Sequence, residues 1–444
     1  MTRTMSPNKS ISPDDEGDVG RRIYRLIVEL YPICRSITGD GYRQTMRLLQ
    51  SRVPLQIHEV PTGTPLFDWT APREWNIRDA FVKNARGEKI IDFQDSNLHV
   101  VSYSVPVRAV VPLAELKKHL FTMPEHPDWI PYRTSYYRED WGFCLSHRCY
   151  EALKEGDYEV VIDSTLGPGS LTYGELYLPG EREDEILISA HSCHPSLAND
   201  NLSGIGLAVE LARHLSSVPR RYSYRFLFIP GTIGAIGWLC LNESSVPRIK
   251  GGLVITGVGD RGAVTYKRSR RGNTGIDRAA ALVLQQSGQP YRLLDFHPYG
   301  YDERQFCSPG FNLPVGRFSR TPYGEYPEYH TSADDLGFVG PDALGDSFAK
   351  IRRILDVMEH DRTYVNQSPK GEPQLGKRGL YSSPGPRELA LLWVLNLSDG
   401  GNRLLDIAER SGVDFSDIKE AADVLLRAGL LAECEPSGPL AARK

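Results

Sequence analysis

Short apolar runs alternate with amphipathic helical patterns from about residue 183 onward. Three apolar runs have the length and the β-branched content of strands buried on both faces, at 186–190, 223–229 and 252–258. Four segments with apolar residues at helical spacing lie between or after them, at 203–217, 234–243, 276–287 and 341–360. This order of elements predicts an α/β domain with a mostly parallel central sheet.

The N-terminal third follows a different pattern. Residues 1–19 are polar and acidic, and we expect a disordered tail there. Residues 20–53 show two helical patterns, with Gly39 placed to end the first helix and Asp40 placed to cap the second. From 54 to 120, short β-like runs are separated by Pro and Gly, which is typical of a small β-domain.

The C-terminal part predicts a winged helix. A polar segment at 363–383 has the composition of a linker. Three helical patterns with short breaks between them follow, at Arg387–Leu397, Arg403–Ser411 and Phe415–Ala428. Together with an apolar pair after the third pattern, they indicate a winged-helix domain over 384–444.

Composition restricts the class of protein. A chain of 444 residues is long enough for two or three domains, and 40% hydrophobic with 24% charged residues is ordinary for a soluble protein. The net charge of −4 gives no bias towards nucleic acid. Seven scattered cysteines without a CxxC pair argue against a disulfide framework or a cysteine zinc finger. No signal peptide or membrane-spanning run is visible, so we expect a cytoplasmic protein without a membrane partner.

Two histidines and an aspartate follow the first predicted strand of the α/β domain. His191 and His194 come directly after the run at 186–190, and Asp200 precedes the helix at 203–217. Open α/β sheets bind their ligands at the carboxyl ends of strands, and imidazole with carboxylate suits zinc or another divalent metal. A purely structural role explains the cluster poorly, because turns favour Gly, Pro, Asn and Asp rather than histidine.

Three segments in order resemble the zinc aminopeptidases of the M28 clan. They are His191 with Asp200-Asn201-x-Ser203-Gly204, the stretch from Asp302 to Pro314, and Tyr329-His330-Thr331-x-x-Asp334. In that clan the two histidines ligate metal and the first aspartate bridges two ions. The resemblance therefore implies metal-ligand roles for His191, Asp200 and His330.

Further short sequence motifs resemble those of one bacterial subfamily more closely. This subfamily comprises the aminopeptidase-like proteins with a DUF4910/DUF2172 core and a C-terminal winged helix. The motifs are Cys34–Gly39, Asp68-Trp69, Glu74–Ile77, Ser135–Tyr137, Trp141–Cys144, Cys193–Ser196 and Glu328–Ser332. This resemblance implies an M28-like core over 20–55 and 165–362, with a β-rich domain inserted over 56–164.

The chain departs from the clan's pattern at two metal positions. The clan has a Glu-Glu pair after its second strand, one the general base and the other a ligand, where this chain has Gly231-Thr232-Ile233. After the third strand the nearest carboxylate, Asp260, is displaced by about three residues, so Asp260 is the candidate for a second ion. We expect one or two zinc ions, with ligands from Asp200, His330, and either or both of His191 and His194.

A hydrolase also needs a base and groups that bind its substrate. Glu303 is the candidate base because the resemblance brings its loop to the site, and Glu325 and Glu328 are the alternatives. Arginine matches carboxylate and phosphate groups bidentately, and aromatic rings can wall a pocket. The candidates for substrate contact are Arg270, Arg320, Tyr329 and Trp141.

These features predict a metal-dependent, aminopeptidase-like amide hydrolase that acts on a small peptide or on an aminoacyl or N-acyl metabolite. The absence of the Glu pair leaves a second function open, that of a catalytically inactive, metal-bearing binding or scaffold protein. A third function, a winged-helix regulator with a ligand-sensing domain, is disfavoured by the acidity of the third helical pattern. The sequence is compatible with a homo-oligomer.

We predict that the winged helix does not bind DNA. Its third helical pattern and lead-in carry four carboxylates against two cations: Asp414, Asp417, Glu420 and Asp423 against Lys419 and Arg427. Binding to duplex DNA depends on cations that displace counterions from phosphates, so an acidic helix gains little. A mobility-shift titration with duplex DNA should show no specific complex. Salt-sensitive, sub-micromolar binding would contradict this prediction.

Overall fold

The computed structural model describes residues 13–380 and 386–435. The strands in chain order are β1 (Gln56–Pro61), β2 (Pro65–Leu66), β3 (Trp69–Thr70), β4 (Glu74–Lys83), β5 (Lys89–Asp92), β6 (Val107–Pro112), β7 (Leu120–Phe121), β8 (Phe143–Cys144), β9 (Asp157–Gly167), β10 (Ser170–Leu178), β11 (Glu185–His191), β12 (Ser223–Ile229), β13 (Ile249–Ile255), β14 (Val264–Lys267), β15 (Tyr291–Leu294), β16 (Val315–Ser319), β17 (Thr363–Asn366), β18 (Asp399–Arg403) and β19 (Leu431–Cys434). The α-helices are α1 (Pro13–Leu30), α2 (Asp40–Gln50), α3 (Leu113–Leu116), α4 (His147–Glu151), α5 (Gly204–Ser216), α6 (Ile233–Leu241), α7 (Gly275–Gln286), α8 (Glu303–Phe306), α9 (Pro341–His360), α10 (Pro386–Leu397), α11 (Leu404–Ser411) and α12 (Phe415–Arg427).

The chain packs into two compact units. The first contains the described residues up to Thr274, together with Pro290–Ala349. The second contains Gly275–Gln289 and the described residues from Lys350 onward, so the division falls inside α9. No helix among the described residues is long and apolar enough to cross a membrane.

An eight-stranded sheet forms the centre of the first unit, in the order β1-β10-β12-β11-β13-β16-β14-β15. The four middle strands, β12, β11, β13 and β16, are parallel to one another, while β1 and β10 join antiparallel at one side. Every residue of β11 is buried, as expected for a parallel strand covered on both faces. The predicted mostly parallel central sheet is confirmed.

A smaller, four-stranded antiparallel sheet in the order β5-β4-β9-β6 follows β1 in the chain. The boundary predicted for this β-rich insertion, residue 56, differs from the structure. The strand β1 pairs with β10 in the central sheet, with Val60 opposite Leu171, and β9 of the smaller sheet continues to Gly167. The side chains of β1 alternate too weakly between apolar and polar for the sequence to reveal which sheet they join.

The N-terminal helices also differ from the prediction. Helix α1 begins at Pro13, inside the predicted tail of 1–19, whose first twelve residues lie outside the described part of the chain. It ends at Leu30, well before Gly39. Gly39 instead precedes α2 with φ of 95°, and a Cβ there would lie 2.1 Å from the carbonyl oxygen of Trp75. Glycine is therefore required by a close backbone approach at a positive φ.

The second unit contains the winged helix, with α10, α11, α12 and a three-stranded sheet in the order β18-β17-β19. The predicted linker of 363–383 is wrong at its start, because β17 is the middle strand of that sheet. Helix α7, predicted as part of the core, groups with this unit. Arg278 of α7 donates to Asp406 at 2.6 Å, which ties α7 to α11.

A buried ion-pair cluster joins three strands of the central sheet. On β12, Arg225 Nε lies 2.6 Å from an oxygen of Glu185 on β11, and the same guanidinium contacts Glu175 on β10. Glu185 is fully buried. Removing one partner of such a cluster leaves uncompensated charge inside the protein, which is far more costly than losing a surface pair.

We predict that Arg225→Met destabilises the first unit by about 3–5 kcal/mol, because Glu175 and Glu185 lose their common cation. The measurement is urea denaturation followed by circular dichroism. Arg78→Met is the matched control, since Arg78 makes a solvent-exposed pair with Asp163 and such pairs contribute little. Equal denaturation midpoints for the two variants would contradict the prediction.

Candidate active site

The end of β11 carries the first residue of the candidate site. His191 is the last residue of β11 and is almost completely buried. The chain then passes through a loop containing His194, and a kinked segment, Ala198–Ser203, leads into α5. The backbone of Asp200 is not helical, with φ of −109° and ψ of 84°, and its side chain lies against His191.

Asp200 lies at the centre of a cluster of imidazoles. Its Oδ1 is 2.8 Å from His191 Nε2, and its Oδ2 is 3.0 Å from His330 Nε2. The third imidazole, His194, places Nδ1 at 3.4 Å from Oδ2. Nitrogen or oxygen atoms of His191, His194 and Asp200 all lie within 4.8 Å of one another. The structure thus brings together the four residues predicted from separate segments.

The protonation states follow from burial and from mutual contact. Burial disfavours the charge of Asp200, but the imidazoles, His194 first, outweigh it and hold the pKa of this carboxyl well below its usual range. Burial lowers the pKa of His194 to about 3, so this imidazole is neutral. Burial acts the same way on His191, yet the hydrogen bond to Asp200 prevails and raises the pKa of His191. Without another cation, a proton on His191 balances the buried carboxylate.

Two atoms of the cluster have no hydrogen-bond partner in the part of the chain that the structure describes. Asp200 Oδ2 and His330 Nε2 are buried and 3.0 Å apart, yet their geometry does not form a hydrogen bond. Buried polar atoms are normally satisfied, so such a pair points to a group that binds both. Imidazole nitrogens around a carboxylate form a donor set that zinc and similar ions prefer. The residues present therefore fit a divalent metal ion.

Hydrogen bonds to Asp334 hold in place the backbone that carries Asp200. The carboxylate of Asp334 accepts the backbone N–H of Asn199 at 2.6 Å and that of Asp200 at 2.9 Å. The backbone at His330 has a positive φ of 56°, which is uncommon for a residue with a side chain and costs free energy that the surroundings must supply. Asp334, predicted only as the last residue of a motif, thus positions the loop that carries Asp200.

A cavity of about 360 Å³ opens beside the cluster. Its wall includes both His191 and His194, and this volume lies at the small end of the range for ligand sites. The remaining lining residues are Ile37, Trp69, Tyr136, Tyr137, Cys193, Gly231, Thr232, Ile233, Ile236, Gly300, Tyr301, Asp302, Arg304 and Tyr329. The wall is mostly apolar and aromatic, with a few polar groups, as is usual for sites that bind small molecules.

Asp302 is a buried carboxylate in the wall of the cavity. Its Oδ1 accepts the backbone N–H of Thr232 at 2.7 Å, and its Oδ2 is buried without a hydrogen-bond partner. Burial raises the pKa of Asp302 to about 6, against the opposing effect of the His191 imidazole. Thr232 itself has a strained φ of 66°, which fixes the donor that orients this carboxylate. A base with a pKa near neutrality suits proton transfer.

Glu303, predicted as the base, occupies a different environment. It is fully buried, and its Oε1 accepts from Lys267 Nζ at 2.9 Å. The flanking residues Asp302 and Arg304 line the cavity, whereas the Glu303 side chain is held by the Lys267 ammonium. Glu303 Oε2, like Asp302 Oδ2, has no hydrogen-bond partner among the described residues. The cavity lining, which includes Asp302 and not Glu303, therefore favours Asp302 as the base. The alternative Glu325 pairs with Arg292 at an exposed position.

Asp260, predicted as the ligand of a second ion, has its oxygens engaged by the protein. One oxygen accepts from Asn199 Nδ2 at 3.0 Å, and the other accepts from Gly262 N at 2.7 Å and from Thr321 Oγ1 at 2.6 Å. It therefore braces the loop next to Asp200 rather than offering a free lone pair to a metal. The displacement after β13 is the cause, since it turns the side chain into the loop 256–262.

Three of the four predicted substrate contacts lie elsewhere. Arg270 is exposed and donates to Asn312, and Arg320 is buried and donates to Asp346 at 2.8 Å. Trp141 stacks on His119 with ring centroids 3.6 Å apart. Only Tyr329 lines the cavity, where it also stacks on His330 at 4.0 Å. Arginine and aromatic residues that are close to the site motifs in sequence need not point into the cavity, because the path of each loop decides where its side chains point.

Comparison with known proteins gives a consistent set of relatives. A family model described as a domain of unknown function, DUF4910, matches residues 24–361, and a winged helix-turn-helix model matches 362–433. A protein from Clostridium acetobutylicum is 53% identical over 430 residues, covering 96% of this chain and 98% of that protein. It is provisionally named a polysaccharide biosynthesis protein with an aminopeptidase-like domain.

Solved structures extend the comparison to the fold. A provisionally named peptidase from Clostridium acetobutylicum has a TM-score of 0.92 at 53% identity, covering 95% of this chain and 98% of that one. A zinc aminopeptidase from Bacillus subtilis has a TM-score of 0.56 at 14% identity, covering 76% and 94%. An M28 peptidase precursor from Shewanella amazonensis has a TM-score of 0.53 at 13% identity, covering 78% and 97%. The predicted M28-like fold with a C-terminal winged helix is confirmed.

Proposed function

Because this chain belongs to the DUF4910 family and gathers a carboxylate and three imidazoles beside a small cavity, we propose that it is a metal-dependent, aminopeptidase-like amide hydrolase. The observation that carries this proposal is the unsatisfied pair Asp200 Oδ2 and His330 Nε2 in a buried donor set. The likeness of the fold to M28 peptidases agrees with a hydrolase.

Asp200, His191 and His330 would hold the metal, with His194 as a fourth donor. When bound, a divalent ion supplies Lewis acidity towards a carbonyl oxygen and lowers the pKa of water. The proton that His191 carries beside Asp200 must leave when a cation takes its place, so metal affinity should fall as the pH is lowered. We favour zinc because neutral imidazole with one carboxylate is a common zinc donor set.

The side chains around the cavity supply the remaining chemistry. Asp302 takes the proton from the attacking water and delivers it to the leaving amine, since its free oxygen and its pKa of about 6 suit both directions of transfer. Tyr301 stacks on His191 with centroids 5.1 Å apart and keeps that imidazole in one orientation. Ile37, Ile233 and Ile236 exclude water from the cavity.

The substrate is proposed to be a small amide rather than a long peptide. The cavity of about 360 Å³ admits one ring or one short side chain together with the scissile group. The relative from Clostridium acetobutylicum is provisionally named for polysaccharide biosynthesis. An N-acyl or aminoacyl group carried by a glycan precursor fits both observations.

A catalytically inactive, metal-bearing binding protein is the alternative. Gly231 is the observation that favours it, because a Cβ placed there would lie 3.7 Å from His191 Cβ, where the clan's pattern has a carboxylate. Without that carboxylate, catalysis depends on Asp302. Turnover by the metal-loaded protein separates the two functions.

We predict that His330→Ala lowers the apparent affinity for zinc by at least about tenfold, because it removes one donor of the set. Metal content after dialysis, measured by mass spectrometry, is the readout and does not depend on activity. The control is His297→Ala on an exposed loop, which should bind metal as the wild type does. Wild-type metal content in His330→Ala would contradict the assignment.

We predict that Asp302→Asn lowers kcat by about 10²–10⁴-fold while metal content stays unchanged, because asparagine keeps the shape but cannot accept the proton. The substrates are aminoacyl p-nitroanilides and N-acetylated amino sugars. Glu303→Gln should act mainly on thermal stability, since it leaves the buried Lys267 without its anion. Full activity of Asp302→Asn, together with a folded but inactive Glu303→Gln, would return the role of base to Glu303. If the metal-loaded wild type turns over neither substrate class, the binding-protein alternative holds.

A further inference from the structure

Two large aromatic side chains remain exposed at the mouth of the cavity. Trp69 and Tyr137 both line it, yet 45% of Trp69 and 54% of Tyr137 is accessible to solvent. Their ring centroids are 5.5 Å apart and their planes are inclined by 58°, so the two rings form an open corner. Exposed apolar surface beside a ligand cavity marks an interaction site more often than a surface residue elsewhere does.

The backbone holds these rings in place before any ligand binds. Trp69 lies on β3, opposite Leu66 of β2, in a tight hairpin whose turn residue Phe67 has a φ of 56°. Tyr137 has a φ of 63° and follows the half-buried Tyr136, whose hydroxyl lies 3.0 Å from that of Tyr132. Strained backbone at Tyr137 and at Phe67, two residues before Trp69, indicates that the placement of both segments is maintained against an energetic cost.

A cation with an unused donor lies on the same cavity wall. Arg304 lines the cavity, and its Nε is buried without a hydrogen-bond partner. Its guanidinium lies 5.7 Å from the centroid of the Tyr299 ring, which limits where it can point. A buried N–H without an acceptor favours a ligand that brings an oxygen.

From this arrangement we infer that Trp69, Tyr137 and Arg304 form the specificity subsite for an N-acylated amino sugar. The inference rests on the proposed amide hydrolysis and names its substrate class. A pyranose ring has a face of C–H groups that packs on an aromatic ring, and its hydroxyls are acceptors for Arg304. The two inclined rings offer apolar walls to two sides of a pyranose ring.

The position of the subsite in the cavity agrees with the proposed hydrolysis of an amide. The corner of Trp69 and Tyr137 and the cluster of His191 and His194 are parts of one cavity wall. A sugar ring held at the mouth directs its N-acyl group inward, towards the imidazoles and Asp302. Hydrolysis then adds water across the C–N bond, gives the carboxylic acid and the free amine, and needs no further reactant.

We predict that N-acetylglucosamine methyl glycoside binds the wild type and that Trp69→Ala weakens this binding about tenfold, since one aromatic contact is removed. Binding is measured by saturation-transfer NMR with EDTA-treated protein, so the probe is not consumed. Trp69→Phe should keep most of the affinity because it retains a ring. Trp129→Ala, which removes a tryptophan stacked on His126 at 4.1 Å, is the control and should bind as the wild type does.

The outcomes separate this inference from the proposed function. Binding that depends on Trp69, in a wild type that retains no zinc after dialysis and hydrolyses no amide when zinc is supplied, would support the subsite and contradict the hydrolase. Amide hydrolysis whose KM does not change in Trp69→Ala would contradict the subsite and leave the hydrolase in place. Binding of phenylalanine amide, but not of the sugar, at Trp69 would replace the sugar with an aromatic amino acid and overturn the inference.

Discussion

The carboxylate of Asp200 is the group on which the rest of the site depends. It is completely buried, and a buried carboxylate is stable only when cations or hydrogen-bond donors surround it. The three imidazoles from two distant segments meet at its oxygens, and Asp334 holds the backbone that presents it. Removing any of these partners would leave the buried carboxylate without compensation, which costs free energy. The structure around the loop is therefore constrained by Asp200.

The central sheet provides the rigidity that this arrangement needs. His191 is the last residue of a strand that is buried along its whole length and paired on both sides. The Arg225 cluster joins the other end of the same strand to its neighbours, so the position of His191 is determined from both ends. Strained backbone occurs in two other loops, at Thr232 after β12 and at His330 between β16 and α9.

Hydrophobic patterning predicted three strands of the central sheet, β11, β12 and β13, because burial on both faces leaves a clear signal, but it did not predict β14, β15 or β16. The run at 223–229 corresponds to β12 at both ends. Boundaries were less accurate where a tertiary contact decides them. Gly39 was interpreted as a helix end, but its role is to admit the carbonyl of Trp75, which is distant in sequence. The strand β17 was interpreted as linker because four residues without strong alternation resemble a polar connection until their partners are known.

In the site, the sequence indicated which residues come together, but it did not indicate the directions in which their side chains point. Motif order was sufficient to bring His191, His194, Asp200 and His330 together. It could not distinguish Asp302 from Glu303, because adjacent residues at a short helical turn point in different directions and only packing decides which one Lys267 captures. Likewise, Trp69 and Tyr137 were noted only as parts of family phrases. Their convergence at the cavity depends on how a hairpin and a distant loop pack together.

The charge balance of the cluster bears on how many ions it holds. Sites with two dications are normally lined by several carboxylates, which offset four positive charges in a medium of low polarity. Among the described residues, Asp200 is the carboxylate that contacts the imidazoles. Asp302 lies in the cavity wall with one oxygen on Thr232 N, and Asp260 is engaged by Asn199, Gly262 and Thr321. Gly231 contributes no charge at all. The charge of the imidazole cluster therefore agrees with the proposal of a single metal ion, with Asp302 as the proposed base.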